Sequence, residues 1–128
     1  MTTEHSGAFV QEAPIADVLR VGNTIYIAGQ VAMLPNGDAH APGDHIRQAE
    51  KIFEIMAELL AEEGASLQNV VKLTTYFSIP LNRQVSEEHW DVRRRAFGEH
   101  RPTSTGVQVA ALFDDDYVIE IDGIAVIE

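Results

Sequence analysis

The strongest constraint on what this chain can fold into lies at its C-terminal end, where the side chains alternate with a period of two. Tyr117, Ile119, Ile121, Ala125 and Ile127 alternate with Val118, Glu120, Asp122, Ile124 and Val126. This is the pattern of a strand whose successive side chains point to opposite faces of a sheet. Just upstream, Val107, Val109 and Ala111 alternate with Gly106, Gln108 and Ala110, and Asp114-Asp115-Asp116 marks a connecting loop. Residues 101–128 therefore read as a β-hairpin. Alternation puts Glu120 and Asp122 on one face, between Val118 and Ile124. Two readings follow: a pair of solvated acids on a sheet rim, the commoner case, or a partly enclosed groove. In a groove, burial raises a carboxyl pKa and makes the group a candidate acid or base.

The rest of the chain supplies partners for these strands. Val18–Val21 and Thr24–Val31 flank Gly22-Asn23, a two-residue hairpin turn. Gly29 inside the second strand marks a bulge or a close approach of the backbone to something else. Asp44 caps a helix running to about Glu63, with an apolar stripe of Ile46, Ala49, Phe53, Met56 and Leu60 widened by Ile52 and Leu59. Gly64 stops that helix, and Glu62 and Glu63 oppose its dipole, which predicts a frayed last turn. Val70–Ile79 is a strand ended by Pro80. A second helix starts between Asn82 and Ser86 and closes at Gly98. Arg93, Arg94 and Arg95 then read as its solvated, dipole-matched end.

Residues 1–11 read as a loose N-terminal segment or a short edge strand. The order is β-β, a short third strand, α, β, α, β-β, over a single α+β domain of residues 1–128. This predicts a mostly antiparallel six-stranded sheet backed by two helices. Its strands carry apolar residues on both faces, and two helices cover one face, so the other is expected to bury against further copies of the chain.

Nine basic against twenty acidic residues give a net charge of −11. That balance argues against nucleic acid or an anionic membrane as a partner. The chain has no cysteine, which removes disulfides and thiolate chemistry and is compatible with a cytoplasmic protein. No signal-like segment is visible, and no run approaches the ~20 apolar residues of a membrane helix. His40 and His45, with Asp38 and Asp44, match no metal spacing and read as loop and cap residues. No metal or cofactor is expected.

Three stretches carry a resemblance: Val21-Gly-Asn-Thr-Ile-Tyr-Ile-Ala-Gly-Gln, Arg101-Pro-x-x-x-x-Val-x-Val and Ile119-Glu-Ile-Asp-x-Ile-Ala-Val. Together, in order and over nearly the whole chain, they resemble the RidA/YjgF family of reactive-intermediate deaminases. The resemblance implies a chorismate-mutase-like fold and a homotrimer with its sheets around a central barrel, its helices outward and a pocket at each subunit boundary. It also implies cofactor-free hydrolysis of enamines and imines to ketoacids and ammonia.

Carried over by position, Glu120 stands where the family glutamate handles the attacking water, and Gly29 and Gln30 fill the Gly-Gln pair that lines the pocket. The family arginine that holds the substrate carboxylate is replaced by Ser104. Gly106 stands where cysteine is frequent, Ile15 where tyrosine follows the N-terminal proline, and Trp90 where asparagine is common. Ser104 and Thr105 then offer hydroxyls to a ligand, and Trp90 a wall. A serine cannot supply a guanidinium's charge or fork. The expectation is a protein that is not an efficient 2-iminopropionate deaminase and takes a neutral or differently charged small molecule. The alternative is a non-catalytic trimeric module that binds a metabolite or regulates a partner.

Overall fold

A computed structural model describes residues 13–128; the N-terminal segment read as loose lies outside them. Five strands form one sheet: β1 (Val18–Val21), β2 (Thr24–Gln30), β3 (Val70–Phe77), β4 (Thr103–Gln108) and β5 (Ile119–Val126). Two helices, α1 (His45–Glu62) and α2 (Arg83–Phe97), accompany it. The strand order is β1-β2-β5-β3-β4. All neighbours are antiparallel except β3 and β4, which run parallel and so need α2 as their crossover. The expected third strand is only an isolated bridge between Met33 and Ala39 across the Pro35-Asn36-Gly37-Asp38 turn. Among the described residues the sheet therefore has five strands, not six.

The C-terminal hairpin is corrected. β4 and β5 do not pair, because β3 lies between them. Period two identifies a strand but says nothing of its neighbour. Partner choice follows burial: β5 carries Ile119, Ile121 and Ala125, all fully buried, and takes the central seat. The small polar Thr103-Ser104-Thr105-Gly106 run of β4 is exposed and takes the edge, where unpaired backbone can meet water.

Helix α1 lies across the sheet with Ile52, Phe53, Met56, Leu59 and Leu60 buried against Ile25, Ile27, Leu73, Ile119 and Ile121. The Asp44 carboxylate accepts from the Ile46 and Arg47 amides, at 3.1 Å each, which makes it the N-cap. Each large buried side chain contributes about 1.5–3 kcal/mol. The mismatch of Glu62 and Glu63 with the helix dipole costs only about 0.3–1 kcal/mol each. The stripe wins, and the helix holds through Glu62. Helix α2 starts from Asn82, whose side chain accepts from Val85 N at 2.9 Å, and Ser86 lies inside its second turn.

One buried polar side chain ties the loops to this core. Gln48 is fully buried on α1. Its amide nitrogen donates to the carbonyls of Asp116 (2.8 Å), Ala41 (3.1 Å) and His40 (3.2 Å). Its oxygen accepts from Val118 N at 3.0 Å. Replacing Gln48 with Leu leaves these backbone groups desolvated and unpaired, and should cost about 2–4 kcal/mol. Urea unfolding is expected to show a lower midpoint at unchanged slope.

Candidate functional site

Strand parity decides where each candidate side chain sits. The buried residues of β5 face the helices, so Glu120 and Asp122 project from the helix-free face, each half-buried. Across the sheet, Glu120 is paired with Tyr76 of β3, and Leu73 of the same strand is paired with Ser104 of β4. Tyr76 and Leu73 are an odd number of residues apart, so Glu120 and Ser104 occupy opposite faces. Thr105 shares the Glu120 face, whereas Gly106 and Gln108 share that of Ser104. Within one chain the candidate residues form two half-sites, not one.

The first half-site is built around a bulge. Ile27 pairs with Gly123 and Gln30 with Ile121, so Ala28 and Gly29 together oppose the single residue Asp122. A Cβ at position 29 would overlap Glu120 Oε2. Gly29 is thus both things its sequence context suggested, bulge and close approach, and what approaches is the Glu120 carboxylate. The bulge turns Gln30 inward, where it is buried and donates to Ala28 O (3.1 Å) and Asp17 Oδ1 (3.4 Å). Its side chain braces the bulge rather than facing the acid. Ile15 is exposed, two residues before Asp17, whose carbonyl accepts from Ala28 N.

Burial, and then the neighbouring Asp122 charge, raise the Glu120 pKa above the ordinary carboxylate range. Asp122 accepts a hydrogen bond from Tyr76 Oη at 2.9 Å. That bond, followed by burial and the two carboxylate charges, raises the tyrosine pKa in turn. A half-buried carboxyl with a raised pKa is equipped to take a proton from water and return it.

The second half-site lies between α2 and the β4 edge. A cavity of about 260 Å³ is lined by Thr75, His89, Trp90, Arg93, Ser104 and Gly106, among others. A more open trough of about 750 Å³ continues from Trp90 and Arg93 toward His100 and Arg101. Trp90 is half-exposed and walls both hollows.

Sequence reasoning missed Arg93. Its guanidinium turns into the cavity and donates to Ser104 Oγ (2.6 Å), Thr75 Oγ1 (2.8 Å) and His89 Nε2 (2.9 Å). Position 104 is a serine, as the sequence has it, and a guanidinium reaches its hydroxyl from the helix. A signal was available, because His89, Arg93 and Phe97 are four residues apart and His89 and Phe97 are buried. Arg93 sits on that inward row. Arg94 and Arg95 do lie on the solvated side, paired with Asp91 (2.6 Å) and Glu50 (3.0 Å).

Arginine can only donate, so His89 Nε2 holds a lone pair and the ring proton resides on Nδ1. The ring is packed between Phe53 and Phe77. Burial, then the Arg93 charge and His45, push its pKa down to about 3.

This architecture defines a class: one mixed sheet with both helices on a single face and an acid on the other. Over residues 6–127 the chain matches the family described as Endoribonuclease L-PSP. It is 35% identical over 112 residues to a RutC family protein of Pyrococcus abyssi, covering 88% of this chain and 85% of that one. Over 113 residues it is 31% identical to the mouse 2-iminobutanoate/2-iminopropanoate deaminase, covering 88% and 81%. Its fold matches the crystal structure of E. coli TdcF with bound serine at a TM-score of 0.81, with 26% identity, covering 99% of this chain and 97% of that one. The chain belongs to this family, the RidA/YjgF family of its sequence motifs.

The His89 environment gives a pH prediction. The folded ring resists protonation down to about pH 3, whereas an unfolded histidine takes a proton near pH 6.5. Between those values the unfolded state binds more protons, so this contribution to stability is complete above about pH 6.5 and is lost as pH falls. His89→Gln keeps an acceptor for Arg93 and removes the titration. Its unfolding free energy should depend on pH less steeply across that window than the wild type's, by up to about one proton.

Proposed function

We propose that this protein is a cofactor-independent hydrolase of enamines or imines, working at clefts between copies of a homotrimer with Glu120 managing the water. The observation that carries this reading is the Glu120 carboxyl, half-buried, raised in pKa and seated over the side-chain-free backbone of Gly29. Family membership supports the reaction class, and the deaminase name of the mouse relative supports the type of substrate.

The chemistry needs no redox partner. An enamine is first protonated at carbon to give the imine. Glu120 accepts a proton from water as the oxygen adds to the C=N carbon. That proton returns to nitrogen, the new hydroxyl gives its own proton to the freed carboxylate, and the C–N bond breaks with its electron pair leaving on ammonia and a ketone remaining. A carboxyl with a raised pKa suits both proton transfers near neutral pH.

Assembly is supported by two features. On the helix-free face, Leu19 and Tyr26 stand side by side, and Tyr26 neighbours Ile124 across the next strand pair. Leu19 and Tyr26 are 55% and 47% exposed, more apolar surface than a wet sheet face carries. The second feature is the split site. A ligand touching Glu120 and the Ser104 cavity together requires two chains, each giving one half.

Glu120→Gln should abolish ammonia release from freshly generated 2-aminoacrylate while leaving the native mass unchanged at about three times 14.1 kDa. Wild-type protein that binds but never turns over any imine would favour the non-catalytic module. Gly29→Ala should act in a different way. Its methyl displaces only the end of a flexible side chain, so the melting temperature should move by no more than a few degrees. The rate constant should nevertheless fall by about 100-fold, because the carboxylate is no longer in position. A fully active Gly29→Ala would show that Glu120 does not work from this seat.

A further inference from the structure

The Arg93 cation is the feature the fold itself leaves unexplained. Arg93 is half-buried, and a charge partly withdrawn from water is normally paired with opposite charge, because its desolvation is otherwise costly. Among the described residues Arg93 is held only by a serine hydroxyl, a threonine hydroxyl and a histidine ring that must be neutral to accept its hydrogen bond. Among the described residues no carboxylate lies within ion-pair distance of it, although Arg94 and Arg95, next along the helix, each have one. A guanidinium carries five N–H donors. Three are used, leaving one on each terminal nitrogen for something other than protein. Burial lowers the Arg93 pKa only to about 10, so the group stays charged at neutral pH.

Its neighbours hold the guanidinium in place. His89 fixes Nε, and Ser104 and Thr75, from adjacent strands, fix the two terminal nitrogens. Ser104 and Thr75 have short side chains, and Gly106 has none, so a cavity of about 260 Å³ remains against the guanidinium. That volume suits a molecule of a few heavy atoms. A guanidinium fixed on three sides, with charge to spare and donors on both terminal nitrogens, is the natural receptor for a carboxylate.

We propose that Arg93, brought in from helix α2 over Ser104, is the residue that binds the carboxylate of a small 2-imino or 2-enamino acid in this protein. The site thus takes an anionic substrate, contrary to the neutral ligand that Ser104 alone implies. The proposal rests on the reaction class argued above for the purpose the site serves, but its chemistry can be tested without turnover.

The probes are 2-oxobutanoate, an unreactive ketone counterpart of the imino acid, and its neutral amide, titrated into the full-length protein. Wild type should bind the carboxylate at least about tenfold more tightly than the amide. Arg93→Gln, which keeps polar contacts without charge, should bring the two Kd values together, and Glu120→Gln should retain the preference. In Arg93→Gln, KM for imino acids should rise by about 30-fold or more with a smaller change in kcat. Moving the guanidinium with Arg93→Gln plus Ser104→Arg should recover part of the carboxylate preference.

An Arg93→Gln protein that keeps the preference, or a wild type that shows none, overturns the proposal. Should Arg93→Gln fail to fold, the Arg93 Nε–H resonance of wild-type protein decides. It must shift with 2-oxobutanoate and not with the amide, and an unmoved resonance refutes the assignment. Arg93-dependent carboxylate binding without imine turnover by any wild-type preparation would sink the hydrolase reading and leave this one standing. Normal turnover with KM unchanged in Arg93→Gln would do the reverse.

Discussion

Burial of one face of β5 under helix α1 sets the position of everything else. Ile119, Ile121 and Ala125 are removed from water against Ile52, Phe53 and Met56, and with a two-residue period the intervening Glu120 and Asp122 have only the opposite face to occupy. A register slip of one residue would bury both carboxylates and expose both isoleucines, so the arrangement is held by several kilocalories per side chain exchanged. The Glu120 carboxylate is placed by hydrophobic burial of its neighbours along the strand. The same parity argument, carried across β3, sends Ser104 to the helix side. The placement of the candidate residues on two faces is thus a consequence of how the core is packed.

The bulge in β2 serves this placement locally. A regular ladder would set a side chain from β2 beside Glu120 on the shared face. Opposing Ala28 and Gly29 to Asp122 alone instead puts a residue without a side chain where the carboxylate must lie. Bulges weaken pairing, and this one is held by the buried Gln30 amide reaching back to Ala28 O and to Asp17. Gln30 therefore contributes to the candidate site by fixing the geometry of the strand that frames it.

Much of this was legible in the sequence because it depends on local period and turn chemistry. The strands, both helices, the Asp44 cap and the alternation of β5 all follow from residues within one turn or one ladder step of each other. Partner choice does not. β4 and β5 are consecutive strands and read as a hairpin, yet the apolar strand takes the centre and the polar one the edge, a decision made by the total area buried. Glu120 and Gly29 were singled out through family motifs, and their mutual contact was half legible through Gly29 alone. Arg93 was missed because three consecutive arginines near a helix end have a sufficient explanation in the dipole. Only the inward row of His89 and Phe97 separates the first of them from the other two.

The relation between Arg93 and Ser104 shows why a motif position and a chemical function have to be read separately. A strand residue and a helix residue reach one point in space from different directions, and a ligand carboxylate responds to where the guanidinium is, not to which element carries it. For a helix-borne arginine to fill that point the strand residue must be short, or the two side chains would compete for the same volume. It should also offer an acceptor to orient the fork. Serine meets both conditions, and its hydroxyl lies 2.6 Å from Nη1. Read this way, the serine in the Arg-Pro strand is the complement of an arginine one helix away, and each residue accounts for the other.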